Sequence, residues 1–177
     1  MSAQADYFAL FDLPRRYEIE RPALESAYER LTLAHHPDFF STAPPAQKQE
    51  AERTSAVLNE GYRVLVDDLA RADYLLELLA AGRGLNAQEL PQGFLQEMFM
   101  LQEEVDDLEH SAFADRREAL IGETEGRLSE ILAERGRLFA AAGAGGDLSL
   151  LQTIQTNLNC ERYIRRLLDR LNGAPAP

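Results

Sequence analysis

The stretch ERLTLAHHPDFF at residues 29–40 decides how the first part of the chain is expected to fold. Apolar and aromatic side chains lead into it at the three-to-four spacing of one helix face, at Leu24, Tyr28, Leu31 and His35. Pro37 disfavours helical geometry in the residue before it, so a helix over 21–36 is predicted to end at His36. A polar loop is expected after this helix.

Helical spacing continues on both sides of this stretch. Leu and Ala dominate the apolar residues, and straight-chain side chains lose less rotamer freedom in a helix than β-branched ones do. Asp6 is expected to cap the first helix. Further helices are predicted over 6–13, 46–66, 68–80, 91–110, 113–142 and 147–172. Since strand-like alternation is hard to find, we predict an all-α fold.

A turn-rich segment, GRGLNAQELPQ at 82–92, divides the chain. The helices before it predict a helical hairpin, whereas the three long helices beyond it have short links and predict a small antiparallel bundle. We therefore predict a first domain at 1–80, a linker at 81–90, a three-helix bundle at 91–173 and a disordered tail at 174–177.

The composition excludes several classes of protein. The formal charge is −12, from 30 acidic and 18 basic residues, so binding to nucleic acid or to an anionic membrane surface is not expected. No apolar run approaches the roughly 18 residues that span a bilayer, and no secretory signal is visible. One cysteine, Cys160, excludes an internal disulfide framework. We therefore expect a cytoplasmic protein.

Three interpretations of His35, His36 and Asp38 are possible from these residues alone. A zinc site would need further ligands, but His110 is the remaining histidine, and neither HExxH nor paired cysteines occur. A nucleophilic triad would need a serine or cysteine on a special turn, and no GxSxG motif is present. The third interpretation is structural, with Pro37 ending a helix and Asp38 capping the segment after it. A tripeptide by itself leaves the choice open.

In its context, the His-Pro-Asp tripeptide resembles that of a J-domain, the module of co-chaperones that act on DnaK-type chaperones. The matching segments are DYFALFDL at 6–13, YERLTLAHHPD at 28–38 and LNEGYRVLVDDLARADYLL at 58–76. The resemblance implies that residues 1–80 form a J-domain, which docks on the chaperone and accelerates its ATP hydrolysis. The chaperone-binding residues that it implies are His36, Pro37, Asp38 and Arg30.

Nearly the whole chain resembles the HscB family, in which a J-domain continues through RADYLLEL into a second helical domain. The segment FLQEMFMLQEEVDDLE at 94–109 is similar to the acidic–hydrophobic helix of that domain, and ERYIRRLLDRL at 161–171 is similar to its last helix. The resemblance implies that the second domain binds the iron–sulfur scaffold IscU. Since no N-terminal zinc module is seen, the bacterial form of the family is expected.

Spacing distinguishes two faces of the helix at 94–109. A core-facing stripe is predicted at Phe94, Met98, Leu101, Val105 and Leu108. Apolar residues outside this stripe, ringed by carboxylates, suggest either a partner site or a wider buried stripe. The HscB resemblance favours the partner site. The scaffold-binding residues that it implies are Leu95, Phe99, Met100, Glu103, Asp107 and Tyr163.

Two features depart from the usual J-domain pattern. Leu-Ala-His at 33–35 stands where lysine or arginine is common, and Phe39 comes directly after Asp38. We therefore expect weak electrostatic steering toward the chaperone. Phe39 and Phe40 are expected to pack against the core of the domain.

The resemblance implies a co-chaperone rather than an enzyme, with no cofactor in the protein itself. It would stimulate a DnaK- or HscA-type chaperone and deliver an IscU-type scaffold to it, promoting maturation and transfer of the iron–sulfur cluster. Two rivals remain. A general J-domain co-chaperone would use Leu95 and Phe99 for unfolded clients, and a metal-dependent hydrolase would use His35, His36 and Asp38.

Overall fold

Helices are the regular structure throughout the computed structural model, which describes residues 6–40, 42–109, 114–143 and 145–173. The α-helices are α1 (Tyr7–Leu10), α2 (Arg21–Ala34), α3 (Pro45–Val66), α4 (Asp68–Ala80), α5 (Phe94–Glu109), α6 (Ala114–Ala142) and α7 (Leu148–Leu171). A 3-10 turn, Pro37–Phe40, lies between α2 and α3. The predicted all-α fold is confirmed. The predicted disordered tail at 174–177 lies outside the described residues, as does His110.

Helix α2 ends earlier than predicted. Its last residue is Ala34, two positions before His36, and the N–H of His35 closes the last turn on the carbonyl of Leu31 at 3.1 Å. Pro37 has no N–H to give to the carbonyl four residues earlier, and its ring restricts the residue before it. The helix therefore stops short, and Pro37 begins the 3-10 turn.

The first of two compact units ends at Leu78. Helices α1 and α2 and the 3-10 turn all pack on α3. The side chain of Asp6 accepts the N–H of Phe8 at 3.0 Å, as predicted for the cap of α1, and both Phe8 and Phe11 are buried. Helix α1 lies close to α3 because Gly61 has no side chain, since a Cβ there would stand 3.1 Å from the Phe11 ring.

Aromatic and polar contacts hold α2 against α3. The rings of Tyr28 and Tyr62 stack with their centroids 4.2 Å apart. The hydroxyl of Tyr28 donates to the side-chain oxygen of Asn59 at 2.8 Å. These contacts fix the helix from whose end the His-Pro-Asp loop begins.

The second unit begins at Leu79, and its helices α5, α6 and α7 pack as a three-helix bundle. Two clusters of buried side chains lie between the helices: Phe94, Met98, Cys160, Ile164 and Leu168 in one, and Val105, Leu120, Leu167 and Leu171 in the other. The predicted core stripe of α5 is confirmed, because its remaining members, Leu101 and Leu108, are half-buried against these clusters.

The turn-rich segment before α5 is bonded to α7. The side-chain amide of Asn159 donates to the carbonyls of Ala87 and Glu89 at 3.0 and 2.9 Å. Asn86 exchanges two hydrogen bonds with the side chain of Gln152, at 2.8 and 3.0 Å. These residues, predicted as part of a linker, therefore lie along the bundle.

A buried charge cluster joins α6 and α7. Glu161 is fully buried and accepts hydrogen bonds from Arg135 of α6, which is also buried, and from Arg165 at 2.7 Å. Removing one member of such a cluster leaves a charge without compensation in the core, which is strongly destabilising. The pairing of α6 with α7 therefore depends on these side chains.

Candidate functional site

The His-Pro-Asp loop is an exposed turn whose polar side chains contact each other. The side chains of His36 and Asp38 are 47% and 86% exposed. The Asp38 N–H donates to Nδ1 of His36 at 3.3 Å, and a carboxylate oxygen of Asp38 lies 3.6 Å from the same nitrogen. Because Pro37 fixes the backbone torsion between them, the loop presents an imidazole and a carboxylate side by side on a stiff bend.

The hydrogen bond within the loop is made at Nδ1 of His36. A neutral imidazole that accepts at Nδ1 carries its proton at Nε2. Within the described part of the chain, no acceptor bonds to that Nε2–H, so it is left as a donor for a partner. His35 differs from its neighbour, because it comes after the last turn of α2 and is half-buried.

Large apolar side chains flank the loop on both sides. Leu33 and Phe39 are each 66% exposed, and the Phe39 ring stands edge-on to the His36 ring at a centroid distance of 6.0 Å. The prediction that Phe39 packs against the core is therefore wrong. Successive residues of a 3-10 turn point about 120° apart, so Phe39 and Phe40 face different directions, and Phe40 is half-buried as predicted.

Helix α2 offers little positive charge beside this loop. It contains two arginines and two glutamates, and Arg21 lies 3.8 Å from Glu25. Arg30 is exposed, and no carboxylate of the described residues pairs with it. One unpaired cation is therefore available on the face that leads to the loop.

The described residues do not support two other kinds of site. Over the ranges that the structure describes, no group of three or more His, Cys, Asp or Glu side chains is placed to hold a metal ion. His35, His36 and Asp38 therefore have no further ligand there. Nor does any described helix combine the length and apolar character that a membrane crossing requires.

The scaffold-binding residues predicted from the resemblance all lie on the outside of the second unit. Leu95, Phe99 and Met100 are 55%, 63% and 63% exposed, and Glu103, Asp107 and Tyr163 are exposed as well. At 100° per residue, the five on α5 span an arc of about 140° opposite the core stripe. They form one exposed strip, which we call the α5 strip.

Five carboxylates of α5 fall into two groups. Three are used inside the bundle: Glu97 pairs with Arg127 at 2.6 Å, Glu104 pairs with Arg116 at 2.6 Å, and Asp106 pairs with Arg170. The hydrogen bond from Arg127 holds the pKa of Glu97 below its usual range. Glu103 and Asp107, the two predicted to contact the scaffold, have no ion-pair partner among the described residues.

A cleft of about 380 Å³ lies beside the α5 strip, between α7 and the segment before α5. Leu95 and Tyr163 line it together with Arg162 and Arg166. Tyr163 is positioned by the buried ring of Phe94, edge-on with centroids 5.8 Å apart. Leu95 and Tyr163 thus meet at the same cleft although they come from different helices.

Sequence reasoning did not assign a role to Arg162 or Arg166. Both occur in ERYIRRLLDRL, and their separation by four residues places them on one face of α7 next to Tyr163. That spacing could have indicated a basic site on α7. The charge of the whole chain, which is strongly negative, concealed it.

Cys160 is a packing residue. It is 7% exposed within the cluster that contains Ile164. Burial raises the pKa of its thiol, which keeps the thiol protonated and unreactive.

Comparisons with known proteins agree with this geometry. No model of a protein family matches the chain. A co-chaperone protein HscB homolog from Azoarcus sp. (strain BH72) is 32% identical over 164 residues, which cover 88% of this chain and 93% of the relative. The chaperone HscB from Vibrio cholerae matches in structure with a TM-score of 0.77 and 26% identity, over 95% of this chain and 96% of the other. Human co-chaperone protein HscB shares the fold, with a TM-score of 0.78 and 22% identity over 97% of this chain and 83% of the human one.

These matches extend over both units and place the chain in the class of co-chaperones, which are not enzymes. The identity to the Azoarcus protein, which holds over most of both chains, defines the family. The chain belongs to the HscB family of co-chaperones.

Proposed function

We propose that this protein is a cytoplasmic co-chaperone of iron–sulfur cluster assembly. Residues 1–80 act as a J-domain that stimulates the ATPase of a DnaK- or HscA-type chaperone. The bundle carries an IscU-type scaffold to that chaperone, which promotes maturation and transfer of the cluster. Family membership and the exposed residues of both units support the proposal.

In the first unit, we assign His36, Pro37 and Asp38 to the chaperone. The exposure of His36 and Asp38 and the stiffness of the turn suit docking on a charged surface, where paired groups give orientation and association rate more than raw affinity. Arg30 adds one cation on the approach. The protein itself breaks no bond, because the ATP is bound and hydrolysed by the chaperone.

In the second unit, we assign the α5 strip and Tyr163 to the scaffold. Leu95, Phe99 and Met100 are apolar anchors of the kind that supply most of the energy of an interface. Glu103 and Asp107 lie beside them without an ion-pair partner among the described residues and would orient a basic region of the scaffold. The observation that carries this assignment is the combination of exposed apolar anchors with unpaired carboxylates on one strip.

This combination favours a folded scaffold over unfolded clients. Two carboxylates on one helix face favour a partner whose basic groups have the same spacing. They disfavour unfolded chains, in which basic groups have no fixed spacing. A general co-chaperone for unfolded clients remains the second candidate, since apolar anchors alone would serve it.

The double variant Leu95→Ala/Phe99→Ala tests the assignment of the α5 strip. Truncation of central apolar anchors costs about 1–2 kcal/mol each, so the affinity for a purified IscU-type scaffold should fall at least about tenfold. Calorimetric titration measures this affinity. The chaperone ATPase that the protein stimulates without scaffold should stay unchanged, because the loop at His36 is untouched.

Leu148→Ala is the matched control, since Leu148 is 47% exposed at the start of α7 and outside the α5 strip. It should leave the scaffold affinity intact. Unchanged scaffold affinity in the double variant would refute the assignment. If that variant instead lost the binding of an unfolded polypeptide, the general co-chaperone would be the better description.

A further inference from the structure

The charges of the second unit are unevenly distributed between two helices. Helix α5 contains six acidic residues and no basic one, whereas α7 contains four arginines and two acidic residues. Two of these arginines are engaged within the bundle, since Arg165 bonds Glu161 and Arg170 bonds Asp106. Arg162, which is also bonded within the bundle, lines the cleft beside Leu95 together with Arg166.

No carboxylate lines this cleft among the residues that the structure describes. Its remaining lining residues are Ala87, Gln88, Leu90 and Asn159. Glu89 is exposed between the lining residues Gln88 and Leu90 but does not itself line the cleft. The cleft is therefore a locally basic site in a chain whose formal charge is −12.

The two arginines are held in place by neighbours in α7. Arg162 donates to the side-chain oxygen of Asn159 at 2.9 Å. The guanidinium of Arg166 lies over the ring of Tyr163, 6.0 Å from its centroid, and Arg166 is exposed. Asn159 in turn bonds the segment that forms the opposite wall. The cationic groups thus stand at fixed positions on one wall, with Leu95 and Tyr163 as apolar neighbours.

We propose that this cleft binds an acidic side chain of the same scaffold protein that covers the α5 strip. A guanidinium recognises a carboxylate through paired, charge-assisted hydrogen bonds, and Leu95 and Tyr163 would contact an apolar residue next to it. A free anion such as phosphate would use the arginines but leave these apolar walls in water. The inference rests on the proposed function, because it assumes that the α5 strip binds the scaffold.

This arrangement implies a bipolar scaffold surface. The scaffold would present an acidic group toward Arg162 and Arg166, apolar residues over Leu95 and Phe99, and basic groups beyond them toward Glu103. Two opposite charges separated by an apolar centre fix the orientation of the bound scaffold, because turning it around would bring like charges together.

Charge reversal at Arg166 tests the proposal. The full chain, carrying either Arg166→Glu or no change, is titrated calorimetrically with a purified IscU-type scaffold, and with inorganic phosphate as a separate probe. We expect Arg166→Glu to weaken scaffold binding roughly tenfold or more. Arg166→Lys, which keeps the positive charge, should bind several-fold more tightly than Arg166→Glu. Thermal unfolding of each variant verifies that the bundle is folded.

Arg137→Glu is the matched control, since Arg137 is an exposed arginine of α6 that pairs with Glu134 away from the cleft. It should leave the scaffold affinity unchanged. An equal loss in Arg137→Glu would overturn the proposal, because the effect would then come from net charge. If millimolar phosphate binds the cleft but Arg166→Glu leaves the affinity for the scaffold unchanged, the cleft is a site for free anions only and the proposal is refuted.

The double variant of the α5 strip tests the proposed function, and Arg166→Glu tests this inference, so the two can fail independently. If Leu95→Ala/Phe99→Ala weakens scaffold binding while Arg166→Glu does not, the acidic contact is refuted and the α5 strip stands. If the unaltered chain does not bind the scaffold at all, both are refuted.

Discussion

His36 carries the sharpest prediction at the scale of single residues. Among the described residues, its hydrogen bond and its ring contact are made within the loop, to the Asp38 N–H and to the Phe39 ring, so we expect the fold not to depend on it. We expect His36→Gln to fold normally but to lose stimulation of the chaperone, with ATP hydrolysis at the basal rate. Steady-state ATPase assays, with circular dichroism as the test of folding, measure both.

The adjacent histidine provides the control. His35→Gln changes a half-buried residue just past the last turn of α2 and leaves the loop side chains in place. It should retain most of the stimulation. Normal stimulation by a folded His36→Gln protein would show that the loop is not the chaperone-binding element.

Single residues differed in how far the sequence could predict them. The loop at Pro37 could be predicted from the sequence, because the effect of a proline on the backbone is local. The exposure of Phe39 was not predictable, because the direction of a 3-10 turn depends on how that turn packs on α3. The burial of Arg71 was not predicted for a similar reason. Its side chain donates to the carbonyl of Leu65, a contact that requires the tertiary fold.

At the scale of elements, the charge of α2 predicts how stimulation depends on salt. The helix has equal numbers of arginines and glutamates, and Leu33 and Phe39 present apolar surface beside the loop. Between about 0.05 and about 0.3 M salt, over which the Debye length shortens about 2.4-fold, stimulation corrected for the chaperone alone should change less than about twofold. ATPase assays across this range provide the measurement.

A variant of the same helix sharpens this comparison. Leu33→Lys restores a cation near the loop and should make stimulation more sensitive to salt than in the unaltered chain. A steep loss of stimulation with salt in the unaltered chain would contradict the prediction, because it would require a strongly basic docking face.

Helical elements were largely predictable, since their spacing is a local property. The core stripe of α5 can be read from periodicity because buried positions recur with the helix repeat. The end of α2 was predicted two residues too late, at His36 rather than Ala34, and the contacts of the turn-rich segment with α7 were not predicted. These contacts depend on partners distant in sequence, such as Asn159, which bonds the carbonyl of Ala87 seventy-two residues earlier.

At the scale of the whole molecule, two chemically different surfaces occur in one chain. One unit carries the exposed His-Pro-Asp loop, and the other carries the α5 strip with its adjacent basic cleft. The resemblance to HscB located both surfaces in sequence. It did not identify the basic cleft, because that cleft exists only where the segment before α5 meets Arg162 and Arg166 on α7.

The chaperone ATPase, measured with the co-chaperone, with a purified IscU-type scaffold, and with both together, tests the central claim most directly. If one chain stimulates hydrolysis and also delivers the scaffold, the rate with both should exceed the sum of the two separate stimulations. This excess should disappear in Leu95→Ala/Phe99→Ala, whereas the stimulation by the co-chaperone alone should persist. An additive rate, or no stimulation by the unaltered chain, would contradict the proposed function.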